Sequence, residues 1–439
     1  MPTRSVWRSS DLGLSVPTSL RRSVAERARQ VLASNRRRGI SDWGGRHYDF
    51  VCPSPESYPF QWFWDSCFHA IALCDVDVRL AEQELAGLFQ AASPDGFIPH
   101  IVLWERAHHE SVLATYCVSF ADRWRTATIQ PPVLALAVER IADSGGSAGF
   151  LRKAVPTVWR YFDWLARNRD PDDSGLIVIL QPDESGMDAS PKYDRSLGLE
   201  TPDDAGLKHA MGNLIGSYTG RWQDPASLIR LDRFVWTDVL VNSIYLQGLA
   251  SLARLLEVAE HRTGKLRPSN AIALTRERRA RGLQTLLKRC WDPRRGAFFD
   301  YVGFERRPVQ CLTISSLMPL ILDDLPQEIV QELVERHLLN AAEFWLPFPV
   351  PSVSASEPSF DPDYSTGLIW RGPTWINTNW FLIKALSQHG YTAMASTLAD
   401  KTLSLLGSSG LREFYNPRTG EGYGAHDFGW SALVLDLLG

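Results

Sequence analysis

The sequence predicts an all-α fold whose helices close into a ring, an (α/α)6 barrel with long loops at one end forming a pocket. Three observations predict it. Apolar residues recur at three- and four-residue spacing in about twelve segments, while alternating strand patterns are almost absent. No Gly/Ser-rich or charged linker divides the 439 residues, so a single domain over 1–439 is expected. Several irregular segments, rich in Gly, Pro, Trp and acids, are too long to be plain helix connections. A superhelical array is the competing architecture, and no fixed-period repeat supports it.

Taken in order, the first helix is expected from about Ser19 to Ser34. Others follow at about Ser66 to Cys74, Arg79 to Ala92, Ser111 to Trp124 and Pro132 to Ala142, the last opening on prolines tolerated at a helix start. Phe150 to Asn168 continues the series, with Pro156 predicting a break or kink. Residues 170–236 lose the period and read as a long loop or cap insertion, with one short apolar run from Leu176 to Leu180. The helical period resumes at Thr237 to Glu260, Ser269 to Cys290, Thr313 to Leu322 and Gln327 to Leu339. It ends with Pro373 to His389, Ala393 to Leu406 and Phe428 to Leu438.

Hydrophobic content of 44% and charged content of 22% fit a globular chain. A net charge of −4 offers no electrostatic case for nucleic acid or an anionic membrane surface, and neither partner is expected. No run of eighteen uninterrupted apolar residues predicts a membrane-spanning helix. The basic N-terminus lacks a following apolar stretch, so no secretory signal is expected, and six scattered cysteines without a C-x-x-C suit a reduced cytoplasm. No His/Cys cluster has zinc-ligand spacing, so neither metal nor cofactor is expected. The oligomeric state stays open, a homo-oligomer included.

The chemistry concentrates in Gln181 to Asp194, Q-P-D-E-S-G-M-D-A-S-P-K-Y-D, which packs Asp183, Glu184, Asp188 and Asp194 into fourteen residues. Gly186, Pro182 and Pro191 forbid regular structure there, so the acids sit on a shaped loop, where crowding raises their proton affinity. Five other segments carry candidates. Tyr58 to His69 presents Gln61, Trp62, Trp64 and Asp65, the last either a helix N-cap or a ligand for hydroxyls. Ser93 to His100 and Gln130-Pro131-Pro132 are turn-rich. Trp370 to Trp380 carries Arg371, Trp375 and Asn377, the Asn needing a polar partner on an apolar helix. Glu413 to Trp430 carries Glu413 and Glu421 about a turn.

Sixteen Trp and twelve Tyr, several beside acids (Trp62, Trp64, Trp104, Trp124, Trp345, Trp370, Trp375), suit a carbohydrate partner, whose C–H faces stack on rings. Glycoside cleavage needs one protonated carboxyl for the leaving oxygen and one carboxylate for water or direct attack. The Asp188 loop and a Glu of the C-terminal segment, facing each other across a ring, would supply both.

The set Q-W-F-W-D, E-S-G-M-D-A-S-P, W-R-G-P-T-W-I-N-T-N-W and E-F-Y-N-P-R-T-G-E-G resembles glycoside hydrolase family 63, especially compact bacterial members that hydrolyse mannosylglycerate and glucosylglycerate. The resemblance runs from about Tyr58 to the C-terminus. It implies an (α/α)6 barrel, an inverting exo-acting α-glycosidase and no metal requirement. Asp188 then matches the general acid and Glu413 the general base. Asp65 with Trp64 matches the innermost sugar site, and Gln61, Arg371 and Trp375 line the same pocket. Tyr58, Trp62, Glu184, Asn377 and Glu421 complete the expected binding set, Glu184 and Glu421 also being rivals for the catalytic roles. Gln181-Pro182-Asp183 and Ala189 depart from the family's usual H-P-W and Asn. A glycerate aglycone would call for a cation, with Lys208, Arg221, Arg233 and Arg371 as candidates. The competing functions are a trehalase-like hydrolase of a disaccharide, a sugar epimerase using His100, His108, His109 or His426, and a non-catalytic carbohydrate-binding protein.

Overall fold

The computed structural model of the protein describes residues 12–116, 120–200, 202–263 and 268–438. Six inner elements form a closed ring. They are Phe63–Leu73, Leu134–Asp143, Val239–Thr263, the 3-10 helix Ile314–Ile321, Ile376–Gln388, and Gly429–Leu433 running into Val434–Leu438. Each packs on the next, and the last returns to Phe63–Leu73, which closes the circle. Outside lie Val78–Ala91, Ala148–Arg169, Ala271–Arg289, Gln327–Gln331 continuing as the π-helix Glu332–Leu338, Thr392–Ser409, and Thr18–Ser34. Every outer element packs on its inner partner, the geometry of an (α/α)6 barrel.

The sequence dictates which helices face inward. All eleven residues of Phe63–Leu73 are buried, as a helix apolar on every side must be. By length and composition one described helix, over Val239–His261, is apolar enough to cross a membrane, but 94% of that window is buried among the protein's own residues. Asn242, Ser243, Gln247 and Ser251 interrupt its apolar run and are themselves 0% exposed. Asn242 accepts from the Ile177 N–H at 2.8 Å and donates to its carbonyl at 2.9 Å, clamping the Leu176 to Leu180 run onto the barrel. Asp436, on the last inner helix, meets Arg140 at 2.7 Å, Lys384 at 2.8 Å and Trp380 Nε1 at 2.9 Å. One buried carboxylate thus ties three inner helices together where the ring closes, its charge matched by two cations.

Several expectations are corrected. The predicted helix from Ser111 to Trp124 is a short helix, His109–Tyr116, followed by the strand Phe120–Asp122; residues 117–119, with Cys117, lie outside the described set. Asp122 ends that strand by accepting from the Trp124 and Arg125 N–H groups. Pro156 does not break Ala148–Arg169, and Thr157 Oγ1 donates to the Lys153 carbonyl in the same turn. Residues 170–236 are not all loop. Asp203 accepts from the Gly206 N–H at 2.7 Å and caps a helix over Asp204–Ser217, hidden in the sequence by three glycines. That segment has a small core of its own around Leu180, Tyr218 and Leu228. Short strands are also present, notably the hairpin Arg412–Tyr415 with Gly422–His426.

Candidate active site

The irregular segments converge on one pocket of about 150 Å³ at an end of the ring. Tyr58, Trp62, Trp64 and Asp65 come from the first, His100 from the second, and Asp183, Gly186 and Asp188 from the third. Trp370 and Trp375 come from the Trp370 to Trp380 segment, Glu413, Phe428 and Trp430 from the last, and Gln130 from its Pro-flanked turn, with Tyr116 beside them. Loops gather there because a ring of paired helices has helix ends, and no helix sides, at its rim.

The loop bearing Asp188 is held on both flanks. Residues Pro182–Ser185 make a 3-10 turn ending at Gly186, whose φ of 70° puts it in the left-handed region. A Cβ there would stand 2.5 Å from the Trp64 ring, so only glycine lets the loop lie against that wall. Before Asp188, Glu184 receives both Arg169 guanidinium nitrogens at 2.6 Å and the N–H groups of Ile129 and Leu180. After it, Lys192 meets Asp238 at 2.6 Å and Asp300 at 2.8 Å, and Asp194 takes both terminal nitrogens of Arg371. Buried ion pairs on either side, each Arg meeting its carboxylate through both terminal nitrogens, leave the Asp188 segment little freedom.

Glu413 lies in the strand Arg412–Tyr415, paired with Gly422–His426 through Phe414 opposite Tyr423. Its Oε1 accepts from the Tyr58 hydroxyl at 3.0 Å and its Oε2 from the Ala425 N–H at 2.9 Å. Gly424, at φ 65°, makes room: a Cβ there would meet Oε2 at 2.5 Å. The strand is anchored to the neighbouring wall by the reciprocal bonds of Tyr415 and Thr374, at 2.7 and 2.9 Å.

Four carboxyl groups therefore share the pocket walls, Asp65, Asp183, Asp188 and Glu413. Burial pushes Asp188 up to about 6. Burial and the Asp188 charge push Glu413 up to about 7, against the lowering bonds from Ala425 and Tyr58. Burial, then neighbouring carboxylates, holds Asp65 and Asp183 well above the ordinary range. Such a site keeps protons at neutral pH, the requirement for a carboxylic general acid. Among the described residues no group of three or more His, Cys, Asp and Glu side chains is arranged to hold a metal ion.

Aromatic rings make the remaining walls. Trp370 and Trp375 stack at 3.8 Å and 5°, and Trp64 stands edge-on to Trp430 at 5.3 Å. Trp370 has φ 63°, an unusual conformation for a bulky residue and one that concentrates at functional sites. Asp65 is no N-cap, since the helix begins at Phe63 and Asp65 lies in its first turn, 3% exposed.

The structure brings Tyr58, Trp62, Trp64, Asp65, Asp188, Trp375 and Glu413 together, and gives the other expected ligands different work. Gln61 is fully buried, bonded to Ser66, the Glu84 carbonyl and Trp104 Nε1. Glu184 and Arg371 are spent in their ion pairs with Arg169 and Asp194. Asn377 is 0% exposed with its oxygen on the Thr378 N–H, outside the walls. Glu421 is exposed and interacts with Tyr423. Trp104, Trp124 and Trp345 also lie outside the pocket walls. The sequence reading underrated Gln130, whose carbonyl oxygen accepts from the Trp64 N–H at 2.9 Å, and missed Tyr116 and Trp430. Gln130 sits in a Pro-flanked turn, the one local signal available. His100 alone of the four candidate histidines lines the pocket, and burial lowers it to about 3, too weak a base to serve an epimerase near neutral pH.

Known proteins share this architecture. A family profile described as "Mannosylglycerate hydrolase MGH1-like glycoside hydrolase domain" matches residues 58–431. The mannosylglycerate hydrolase of Thermus thermophilus is 30% identical over 417 residues, 88% of this chain and 95% of that one. The glucosylglycerate hydrolase of Mycolicibacterium hassiacum is 28% identical, over 88% and 93% of the two chains. The crystal structure of the glycoside hydrolase family 63 mannosylglycerate hydrolase from Thermus thermophilus, in complex with Tris and D-glycerate, superposes with a TM-score of 0.80. It is 28% identical and covers 94% of this chain and 99% of that one. With a family match over most of its length and the same barrel, the chain is a glycoside hydrolase and belongs to the mannosylglycerate hydrolase MGH1-like group of glycoside hydrolase family 63.

Proposed function

We propose that the protein is an inverting, exo-acting α-glycosidase of a small α-glucoside or α-mannoside, with Asp188 as general acid and Glu413 as general base. The observation that carries this reading is that these two carboxyls line one small pocket and are both raised by burial into the neutral range, to about 6 and about 7, so the pair holds a proton near neutral pH. Which of the two is the acid follows from the family resemblance, since Glu413 is the higher of the two. A pocket of about 150 Å³ is small beside the ~300–1,000 Å³ of drug-sized sites, which suits a single terminal sugar. Protonated Asp188 gives its proton to the glycosidic oxygen as the C–O bond breaks and its electron pair leaves with the aglycone. Ionised Glu413, steadied by Tyr58 and Ala425, takes a proton from the water that attacks the anomeric carbon from the opposite face. Asp65 and Gln130 are placed to bond sugar hydroxyls, and the tryptophans to cover its C–H faces.

The relatives' names make mannosylglycerate and glucosylglycerate the first substrates to try. We read residues 170–236 as a cap on a single domain. Three residues of that segment, Asp183, Gly186 and Asp188, stand in the pocket walls. A proton NMR time course with α-glucosylglycerate, α-mannosylglycerate, trehalose and kojibiose tests the reading. Early β-anomer from one of them is the expected result, and early α-anomer overturns the inverting mechanism.

A further inference from the structure

We propose that Asn35, which precedes every segment carrying a candidate in the sequence, is a positioning residue that fixes the bond between Tyr58 and Glu413. The inference rests on the glycosidase reading and adds to it a residue that holds the base without touching substrate.

Asn35 caps the C-terminus of the outer helix Thr18–Ser34 and is 1% exposed. Its side-chain amide donates to two carbonyls from opposite ends of the chain, Pro53 at 3.1 Å and Asp427 at 2.8 Å. Both amide hydrogens are thus used, as burial requires. Its own carbonyl accepts from the Cys52 N–H at 3.0 Å. Pro53 and Phe428, the neighbour of Asp427, both line the pocket.

The two segments that Asn35 joins are the two that carry Tyr58 and Glu413. On one side, the Tyr58 N–H donates to the Ser54 carbonyl at 2.8 Å, so Tyr58 follows Pro53 by a single turn. On the other, Asp427 follows His426, which pairs with Arg412 beside Glu413. The Phe428 N–H donates to the Leu411 carbonyl at 2.9 Å, the Gly429 N–H to the Pro53 carbonyl at 2.8 Å, and the Phe428 ring stands edge-on to Tyr58 at 5.8 Å. The Tyr58 hydroxyl therefore meets Glu413 between segments already held together by Asn35.

Asp427 has φ 49°, a conformation that persists where neighbours hold it. Its exposed pair with Arg27, at 2.6 Å, contributes little to that hold, whereas the buried amide of Asn35 contributes more. Without the amide the turn relaxes, and Phe428 and Tyr58 move with it. The groups that act on Glu413 are Tyr58, Asp188 and Arg412, and those that feel its charge include Asp65, Tyr116 and Tyr364. Tyr423 and His426 lie on the paired strand. Asn35 bonds none of these side chains, so a change there reaches Glu413 through the placement of the two segments.

The test is the pH profile of kcat/KM for Asn35→Leu, close in size and without a donor, on whichever of the four glycosides named above the wild type cleaves. We expect the acid limb to move to higher pH by up to about one pH unit, the direction expected for loss of the Tyr58 hydroxyl. In a Tyr58→Phe background, where the bond is already gone, Asn35→Leu should leave the limb where it is. Asn35→Ala, which lets water reach both carbonyls, should shift it the same way and serves if Asn35→Leu folds poorly. A limb at the wild-type position in a folded Asn35 variant, even one that melts lower, makes Asn35 a structural residue alone and overturns the proposal. So does a shift of equal size with and without the Tyr58 hydroxyl. Both results leave the glycosidase reading intact. No cleavage of any of the four by the wild type removes that reading, and this proposal with it.

Discussion

The Tyr58 hydroxyl donates to Glu413 Oε1 at 3.0 Å across 355 residues of sequence, joining the loop before the first inner helix to the C-terminal hairpin. This bond favours the ionised form of Glu413 against the burial that raises it. Tyr58→Phe is expected to raise the Glu413 pKa by about one unit, since a bond to a charged group contributes ~1.5–3 kcal/mol. On the proposed assignment of Glu413 as base, which must be ionised, the acid limb of kcat/KM moves to higher pH and activity below pH 7 drops by up to about tenfold. An acid limb in the same place in Tyr58→Phe would show that the hydroxyl does not tune the base.

The paired carboxyls predict a bell-shaped kcat/KM with its maximum between about 6 and 7, the limbs belonging to the pair as a whole. Asp188→Asn and Glu413→Gln should each lower kcat by ~10²–10⁴ or more. Stability should move the other way. Both groups are raised above their unfolded values, so the folded state binds more protons between about pH 4 and 7. Stability is then fully present below that window and falls as pH climbs through it. The amide variants should therefore melt higher than wild type at pH 8, by at most ~3 kcal/mol each, with the gap closing by pH 4. Melting curves at the two pH values check this, and equal curves at pH 8 would count against burial of ionised acids.

Gly186→Ala puts a Cβ 2.5 Å from the Trp64 ring at a φ of 70°. The backbone strain alone costs about 1–3 kcal/mol, and relief requires the Asp188 loop to move away from its wall. A fall in kcat larger than the shift in melting temperature would account for is the expected pattern. Wild-type kcat in Gly186→Ala would mean the loop need not touch Trp64.

Glu184→Gln checks that Glu184 holds the loop and does not touch substrate. Removing one partner of its buried pair with Arg169 should destabilise the protein by about 3–5 kcal/mol, read by denaturant unfolding. The KM of whatever protein remains folded should stay near wild type. A large KM change with unaltered stability would return Glu184 to the binding set.

Much of the barrel was legible in the sequence because helical periodicity is a local property, and all twelve inner and outer elements fall on segments that show it. The Asp188 loop was legible for a related reason, since Gly, Pro and crowded acids announce a shaped segment by composition. The hairpin around Glu413 was not, for its register depends on pairing with a Gly-rich strand that carries no strand signal. Composition by itself could not tell Glu184 from Asp188, four residues apart, and only the motif resemblance favoured the second. Only the fold brings Arg169 to the first and leaves the second in the pocket wall. Gln61, Arg371 and Asn377 left the binding set for the same reason, their partners or burial being set by distant chain. What the sequence determined by itself was which helices form and which acids are candidates. Tertiary structure decided which of those acids are desolvated side by side, because desolvation and pairing depend on neighbours hundreds of residues away.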